Sequence, residues 1–252
     1  MLLKDKVAVV TGAAQGIGKA IARLYSENGA VVVLCDMLED RVKAAAAEIE
    51  KATGNKTAGF AVNVTKKEEI EALVKNVLAL FGKIDILVNN AGILKHALIL
   101  DMSEKDWDLV FEVNVKGTFL FTQAVGKVMK DQGKGKIVNI SSCSGKKPTM
   151  EEGAYCASKS AIIGFTRVTA LELGLFGINC NAICPGATDT EMVRKTFLTS
   201  PEIEREWIEK TALKRLGQPE DMARVAVFLA SELSDHMTGE SLIVSAGEIM
   251  GQ

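Results

Sequence analysis

The sequence predicts a single α/β domain in which a mostly parallel, seven-stranded sheet is covered by helices on both faces. Short apolar segments alternate with longer segments of helical periodicity along the whole chain. The apolar segments are continuous rather than alternating, as expected for parallel strands that are buried on both sides. A length of 252 residues suits one large domain, and right-handed crossovers then give a doubly wound, Rossmann-like arrangement.

Strands and helices alternate in the first third of the chain. Apolar runs rich in β-branched residues predict strands, and the segments between them have the apolar spacing of amphipathic helices. The predicted strands are Val7–Val10, Val31–Leu34, Thr57–Val62 and Ile84–Val88. The predicted helices are Lys19–Asn28, Arg41–Ala52 and Lys66–Phe81. A glycine lies just beyond each helix and is expected to end it, namely Gly29, Gly54 and Gly82.

The same alternation continues toward the carboxyl terminus. The predicted helices are Trp107–Lys130, Ala154–Leu175 and Glu220–Ser231, the last of which begins behind Pro219. The predicted strands are Lys136–Ile140, Gly177–Ile183 and Ser241–Val244. One long segment, Ala187–Leu216, has no strand character, and we expect it to form a lid over a ligand site. Residues 1–252 contain no linker or repeat and are predicted to form one domain.

The composition excludes several classes of protein. Hydrophobic residues make up 48% of the chain and charged residues 25%, which is typical of a globular protein rather than a disordered one. The formal net charge of −2 offers no basic surface to nucleic acid or to an anionic membrane. No apolar run approaches the ~18 residues of a membrane span, and the first residues lack the pattern of a signal peptide. Five cysteines without a C-x-x-C pair are expected to be reduced thiols, which indicates a cytoplasmic protein.

A glycine-rich turn follows the first predicted strand. Its residues Gly12, Gln15, Gly16, Ile17 and Gly18 have the spacing G-x-x-x-G-x-G and lead into the first helix. Glycines allow the backbone to turn sharply and to approach a diphosphate, and the helix N-terminus adds N–H donors. The spacing is neither G-x-G-x-x-G nor a P-loop, but after the first strand of a βαβ unit it favours a nucleotide site over a ligand-free turn.

An acidic residue, Asp36, follows the second predicted strand at the distance expected for a ribose ligand. A carboxylate there can accept hydrogen bonds from both ribose hydroxyls of NAD and would repel the 2′-phosphate of NADP. The next residue is Met37 and the glycine turn carries Gln15, so no arginine or lysine is expected to pair with a phosphate. The sequence therefore predicts NAD as the cofactor.

A tyrosine and a lysine lie one helical turn apart near the start of a long predicted helix. Tyr155 and Lys159 share one helix face, where the ammonium would favour the phenolate. An ordinary tyrosine has a pKa of about 10, which is too high for a base at neutral pH. Ser142 ends the fifth predicted strand on the side where ligands bind. By themselves, Tyr155 and Lys159 favour a core tyrosine and a solvated lysine over a catalytic pair.

These residues belong to a longer series of motifs that resembles the short-chain dehydrogenase/reductase family over nearly the whole chain. The thirteen-residue separation of Ser142 and Tyr155 also fits that family. The matching segments are TGAAQGIG (11–18), NNAG (89–92), Asn114 in VNVKG, NISS (139–142), YCASK (155–159) and PG (185–186).

The resemblance implies a role for each matching residue. Tyr155 would be the general acid or base, Ser142 would bind the substrate oxygen, and Lys159 would lower the pKa of Tyr155 and hold the nicotinamide ribose. Asn114 would position a water that links Lys159 to solvent. Further cofactor contacts are implied for Asn63, Val64, Asn90, Ala91, Gly92, Pro185, Gly186, Thr188 and Thr190. The sequence departs from the family's pattern at Asn63, where aspartate is more usual, and at Ser245-Ala246, where Asp-Gly is common.

The predicted function is an NAD(H)-dependent oxidoreductase that moves a hydride between a secondary alcohol and its ketone. A polyol, a sugar, a steroid-like alcohol and a small diol remain open as substrates. The alternatives are a 3-oxoacyl-[acyl-carrier-protein] reductase that uses NADPH, and a non-catalytic, nucleotide-sensing protein of the same fold. Neither histidine, His96 or His236, lies near a cysteine cluster, so we expect no metal site.

Three loops are expected to contact the substrate, Gly92–Asp101, Cys143–Gly153 and Ala187–Leu216. Basic residues on these loops either receive an anionic substrate group or are simply solvated. They are Lys146, Lys147, Arg194 and Lys195. The resemblance also implies a homo-oligomer, a tetramer built through Trp107–Lys130, Ala154–Leu175 and the last strand, and both helices carry apolar residues on more than one face.

Overall fold

A computed structural model describes residues 1–198 and 200–250. Its seven strands form one sheet in the order β3-β2-β1-β4-β5-β6-β7, and every pair of neighbours is parallel. The strands are β1 Val7–Thr11, β2 Val31–Asp36, β3 Thr57–Ala61, β4 Ile86–Asn89, β5 Gly135–Ile140, β6 Ile178–Pro185 and β7 Ser241–Val244. The predicted seven-stranded, doubly wound fold is therefore confirmed, with a sheet that is entirely rather than mostly parallel.

The helices lie between these strands in the predicted order. They are α1 Gly16–Glu27, α2 Glu39–Thr53, α3 Lys67–Phe81, α4 Glu104–Phe111, α5 Gly117–Gln132, α6 Gly153–Gly174, α7 Glu191–Thr196, α8 Pro201–Glu209 and α9 Pro219–Ala230. Helix α1 begins at Gly16, three residues before the predicted start, so the glycine turn itself forms its first turn. Gly54 and Gly82 end α2 and α3 in the left-handed conformation, as expected from the sequence.

The helix predicted as Trp107–Lys130 is interrupted. Helices α4 and α5 are joined by a π-helical turn, Glu112–Lys116, which inserts one extra residue into the helical ladder. Apolar periodicity cannot reveal such a turn, because the flanking helical segments keep an ordinary pattern. The turn has a direct consequence for the site, because Asn114 lies within it.

Both faces of the sheet are buried, and successive residues of a strand pack against opposite layers. In β1, Ala8 and Val10 join the core beneath α1 and α9, whereas Val7 and Val9 join the core beneath α3 and α5. Because both faces of each strand are buried, the strand sequences are continuous apolar runs. It also fixes the carboxyl ends of β1 and β4 side by side at the centre of the sheet, where the strand order reverses and a ligand crevice is expected.

The segment predicted to be a lid, Ala187–Leu216, contains helices α7 and α8 and, among its described residues, no strand. Thr199, within that segment, lies outside the described residues, as do residues 251 and 252.

All five cysteines are buried free thiols. In the part of the chain that the structure describes, no helix is long and apolar enough to cross a membrane, and no group of His, Cys, Asp and Glu side chains could hold a metal ion.

Candidate active site

The glycine turn between β1 and α1 is held against the carboxyl end of β4. Gly12 and Gly16 have φ angles of 61° and 55°, which a residue with a Cβ adopts only at a cost. A Cβ on Gly12 would lie 2.8 Å from the Cα of Ala91. The amide of Asn90 donates to the carbonyl oxygens of Thr11 and Gly12, each at 2.9 Å. The NNAG segment thus packs against one side of the turn, and Gly12 and Gly16 of the turn line the cavity on the other side.

Gly18 plays a different part from the other glycines of the turn. A Cβ at this position would lie 2.3 Å from the carbonyl oxygen of Gly12 and 2.5 Å from the amide nitrogen of Asn90. Gly18 does not line the large cavity at the carboxyl edge of the sheet, which the other glycines of the turn do line. Gly18 thus serves the close packing of the turn against the carboxyl end of β4, and its predicted cofactor contact stays a prediction.

One large cavity of about 850 Å³ runs along the carboxyl edge of the sheet. It joins the glycine turn and Asp36 to Ser142, Tyr155 and Lys159 without interruption. Every other residue predicted to contact the cofactor lines it: Gly12, Gln15, Gly16, Ile17, Asp36, Met37, Asn63, Val64, Asn90, Ala91, Gly92, Tyr155, Lys159, Pro185, Gly186, Thr188 and Thr190. Its size lies at the upper end of the range for ligand pockets, and its elongated lining fits an extended ligand such as a dinucleotide.

Asp36 lies at one end of this cavity with a fixed orientation. Its carboxylate accepts hydrogen bonds from the backbone N–H groups of Ala14 at 3.2 Å and Leu38 at 3.1 Å. These bonds leave lone pairs on both oxygens, since a carboxylate has about four acceptor positions. Asp36 can therefore accept hydrogen bonds from a ribose diol at this place.

The sequence reasoning missed an arginine near the same end. Arg41, at the start of α2, donates to the side-chain oxygen of Gln15 at 2.7 Å and lies 3.6 Å from the carboxylate of Glu191 on α7. Both partners line the cavity, although Arg41 itself does not. Helix α2 thus brings a cation beside the glycine turn, and the expectation that no arginine or lysine pairs with a cofactor phosphate stays a prediction.

Tyr155 and Ser142 form the polar centre at the other end of the cavity. Helix α6 begins at Gly153 and carries Tyr155 in its first turn, while Ser142 follows β5 directly. Both hydroxyls line the cavity, the Ser142 hydroxyl lowers the pKa of Tyr155, and the Ser142 Oγ accepts a hydrogen bond from the N–H of Ser144 at 3.0 Å. A substrate oxygen placed between the two hydroxyls would be bound from two sides.

Lys159 lies one helical turn beyond Tyr155 and is only 4% exposed. Its Nζ donates to the carbonyl oxygen of Ile140 at 2.9 Å and lies 5.5 Å from the centre of the Tyr155 ring. Burial lowers the pKa of Lys159 to about 8. The β5 carbonyl thus fixes the ammonium beside the cavity and behind the tyrosine.

The direction of the pKa shift at Tyr155 differs from the sequence expectation. Burial raises the pKa of Tyr155 to about 12, the hydrogen bond with Ser142 lowers it, and the Glu152 carboxylate raises it further. The predicted lowering by Lys159 is therefore not met in the chain without cofactor, because desolvation of the phenolate prevails there. In that state the phenol holds its proton at neutral pH and is suited to donate it.

Asn114 does not line the cavity, and its side chain is fully buried. Its Oδ1 accepts from the N–H of Ile93 at 2.8 Å, and its Nδ2 donates to the carbonyl oxygen of Ile93 at 3.0 Å and to the Ser158 hydroxyl at 2.9 Å. A Cβ on Gly92 would lie 3.3 Å from Asn114 Oδ1 and 3.4 Å from Lys159 Nζ. Both side chains therefore pack against Gly92. The structure thus gives Asn114 a positioning role between the β4 loop and α6, and the predicted water relay remains a prediction.

Three carboxylates that were not singled out from the sequence line the cavity, Glu152, Glu191 and Glu248. Glu152 is 2% exposed and precedes Tyr155 by three residues, and Glu248, near the carboxyl terminus, accepts from the N–H of Ala187 at 3.3 Å. The i, i+3 spacing to Tyr155 was a usable signal for Glu152. Nothing in the sequence indicates Glu248, because it reaches the site only through the loop that follows β7.

The predicted substrate loops contribute unequally to the wall. Of the four basic residues considered for an anionic group, only Lys147 lines the cavity. Arg194 pairs with Asp189 at 2.5 Å, and Lys195 with Glu191 at 2.5 Å. The ring of Phe197 contacts His96 and Trp207, with centroid distances of 5.1 and 5.7 Å, so α7 and α8 reach across to the loop after β4.

Comparison with known proteins identifies the family. The family described as Enoyl-(Acyl carrier protein) reductase matches residues 12–248. A solved short-chain type dehydrogenase/reductase from Mycobacterium marinum superposes with a TM-score of 0.93 at 33% identity, covering 99% of this chain and 97% of its own. The chain belongs to the short-chain dehydrogenase/reductase family. It is therefore an oxidoreductase of a family that works with a nicotinamide cofactor.

Two curated relatives of this short-chain dehydrogenase/reductase differ in their named activities. An NAD-dependent glycerol dehydrogenase of Listeria innocua is 43% identical over 245 residues, which are 97% of this chain and 94% of the relative. A 3-oxoacyl-[acyl-carrier-protein] reductase of Thermotoga maritima is 40% identical over 251 residues, 99% of this chain and 100% of the relative. Because the two identities are so similar, they do not distinguish between the substrates of the two relatives. Both relatives are oxidoreductases.

Proposed function

We propose that the chain is an NAD(H)-dependent dehydrogenase that transfers a hydride between a secondary alcohol and its ketone. The observation that carries this proposal is the one continuous cavity that connects Asp36 to the hydroxyls of Tyr155 and Ser142. A cofactor bound through the glycine turn and Asp36 would extend toward these hydroxyls. The nicotinamide, when bound, supplies or accepts the hydride.

The residues of the chain would handle the oxygen and its proton. Ser142 would orient the substrate oxygen, and Tyr155 would give its proton to a ketone oxygen or take the proton of an alcohol. Lys159, fixed by the Ile140 carbonyl, would bind the ribose and favour the phenolate once the cofactor's positive ring lies nearby. Asn114 holds the Gly92–Ile93 backbone next to Lys159. All four groups are present, which speaks against a non-catalytic sensor.

The orientation of Asp36 favours NAD over NADP. Both carboxylate oxygens are held by backbone N–H groups and face the cavity end where a ribose diol would bind. The 2′-hydroxyl of NAD can donate a hydrogen bond to this carboxylate, whereas the 2′-phosphate of NADP would be repelled by its negative charge. The name of the Listeria relative, an NAD-dependent glycerol dehydrogenase, supports the same preference.

The second candidate is a 3-oxoacyl-[acyl-carrier-protein] reductase that uses NADPH. Arg41 favours it, because its guanidinium lies beside Gln15 and could reach a 2′-phosphate. Several relatives with this name, including the one from Thermotoga maritima, also favour it. Arg41 is, however, already engaged by Gln15 and Glu191, and Asp36 would oppose the phosphate.

Initial rates with NAD⁺ and NADP⁺, over a panel of secondary alcohols, separate the two candidates. We expect kcat/KM with NAD⁺ to exceed that with NADP⁺ by at least about tenfold. Asp36→Asn should lower the value for NAD⁺ by about 10- to 100-fold, since hydrogen bonds to a charged group contribute about 1.5–3 kcal/mol. Asp40→Asn, an exposed acid on α2, is the control and should change neither value. A wild-type preference for NADP⁺ would favour the reductase.

We also propose a homo-tetramer in the cytoplasm, acting on a small molecule. The buried free cysteines suit a reducing compartment. Exposed apolar side chains on α5 and α6 suit an interface between copies of the chain, as developed in the Discussion.

A further inference from the structure

We infer that Glu152 is a specificity-determining residue whose carboxylate accepts a hydrogen bond from a second substrate hydroxyl, adjacent to the reacting one. The substrate class is then a small vicinal diol or polyol rather than a simple alcohol or an acyl thioester. This inference rests on the proposed dehydrogenase function and names the substrate of the same site.

The backbone directs two neighbouring glutamates in opposite directions. The N–H of Ala97 donates to the carbonyl oxygen of Glu151 at 2.9 Å, which ties this segment to the loop after β4. Glu151 has a φ of 64° and sends its side chain to the surface, where it pairs with His96 at 3.3 Å. Glu152 occupies the position before α6 without a side-chain capping hydrogen bond, is 2% exposed and lines the cavity.

The buried Glu152 carboxylate has room for a further hydrogen bond. A carboxylate offers about four acceptor positions, and no hydrogen bond to the side-chain oxygens of Glu152 is seen among the described residues. Burial raises the pKa of Glu152, while Ser144 and His96 lower it. Burying a charge without donors is costly, and a donor delivered by the substrate would offset this cost. Because a carboxylate only accepts, the substrate has to supply a hydroxyl rather than a carbonyl.

The position of Glu152 relative to Tyr155 determines which hydroxyl it meets. Glu152 directly precedes α6, whose first turn carries Tyr155, and the charge of the Glu152 carboxylate raises the pKa of Tyr155. A hydroxyl on the carbon next to the reacting one would then lie within reach of Glu152. Glu191 and Glu248 add further carboxylates to the cavity wall, which disfavours anionic substrates.

The test compares propane-1,2-diol with propan-2-ol, both with NAD⁺, because the two differ only in the neighbouring hydroxyl. The wild type should prefer the diol. Glu152→Leu should lower kcat/KM for the diol by about 10- to 100-fold, because a charge-assisted hydrogen bond is lost. The same substitution should change kcat/KM for propan-2-ol by less than about threefold, because this alcohol has no second hydroxyl. Glu152→Gln, which keeps one acceptor oxygen, should fall between the two and covers the case in which the leucine variant does not fold.

Glu151→Gln is the matched control, since the neighbouring carboxylate does not line the cavity, and it should leave both rates unchanged. An equal loss for both alcohols in the Glu152 variants, or no loss for either, would overturn the inference and leave the dehydrogenase function intact. A wild type that oxidises other secondary alcohols of the panel but not the diol would overturn this inference alone. A wild type that oxidises no secondary alcohol would contradict the proposed function.

Discussion

At the scale of single residues, Lys159 shows how the site lowers the stability of the fold. The ammonium is buried beside Tyr155, and its one direct partner among the described residues is the carbonyl oxygen of Ile140. A buried cation that lacks a carboxylate partner is poorly compensated for the loss of water. The chain therefore keeps Lys159 at a cost in stability that its position at the cavity explains.

The pKa of Lys159 predicts how this cost depends on pH. The pKa is about 8 in the folded chain and 10.5 for an ordinary lysine, so the unfolded chain binds more protons between these two values. Stability should thus rise as the pH rises from about 8 to 10.5. Lys159→Met should raise the free energy of unfolding at pH 7 by about 1–2 kcal/mol, since the loss of the bond to Ile140 offsets part of the gain.

Urea unfolding of both proteins without cofactor, at pH 7 and pH 10, measures this effect. The advantage of the methionine variant should shrink at the higher pH. A variant less stable than the wild type at pH 7, or a difference that does not depend on pH, would show that the buried ammonium is not the destabilising group.

Most residues that the sequence motifs single out come together around one cavity. All predicted cofactor residues except Gly18 line the cavity, and Ser142, Tyr155 and Lys159 meet at one end. Gly18 and Asn114 share their motifs with neighbours that do line it, and a motif does not tell whether a residue faces the ligand or the packing behind it. Arg41 and Glu248 arrive from separate elements, so their approach depends on tertiary packing that no local pattern encodes.

At the scale of elements, the π-helical turn between α4 and α5 connects the helix to the cofactor wall. Gly117 follows this turn directly, and a Cβ on it would lie 2.8 Å from Cγ2 of Val64. Val64 lines the cavity and, being β-branched, has few other rotamers available. Gly117 therefore allows α5 to approach the segment after β3.

Gly117→Ala should lower the free energy of unfolding by about 1–3 kcal/mol, as is typical of overpacking, and raise the KM for the cofactor severalfold. Gly126→Ala on the same helix is the control. A Cβ there would meet only Cδ1 of Leu173 at 3.4 Å, so we expect no loss of stability and a gain of up to about 1 kcal/mol from helix propensity. Equal effects of the two substitutions in thermal unfolding would contradict the proposed role of Gly117.

The boundaries of the other elements followed the sequence closely, because glycines and apolar runs mark them. Helix α2, for example, ends at Thr53 with Gly54 in the left-handed conformation. The start of α1 was misplaced by three residues, since a glycine-rich segment has low helix propensity and only its bracing by Asn90 makes it a first turn. Tertiary contacts thus overrode propensity at the functional turn.

At the scale of the whole molecule, helices α5 and α6 present an apolar surface that the described chain does not cover. Phe119 is partly exposed on α5 and its ring lies 6.4 Å from that of Phe165 on α6. Leu171 and Leu175, on α6 and at its end, are 78% and 83% exposed. Exposed apolar patches of this kind mark interfaces. The apolar residues on several faces of both helices were visible in the sequence, but the sheet order decides which of them remain outside.

Sedimentation equilibrium at micromolar concentration should give the mass of four chains. Leu171→Asp should shift the equilibrium toward smaller species, because a carboxylate would be buried in the interface. Leu80→Asp, equally an exposed leucine but on α3, is the control and should leave the mass unchanged. A monomeric wild type would contradict the proposed assembly without affecting the chemistry of the site.

The central claim is that Tyr155 transfers the proton in an NAD(H)-dependent oxidoreductase, and Tyr155→Phe tests it most directly. The variant keeps the ring and removes the hydroxyl that meets Ser142 in the cavity. We expect kcat for alcohol oxidation with NAD⁺ to fall by about 10²- to 10⁴-fold, the usual range for a general acid or base. The Kd of NADH, from fluorescence titration, should change by less than about threefold. A variant that binds NADH normally and keeps most of its activity would contradict the account.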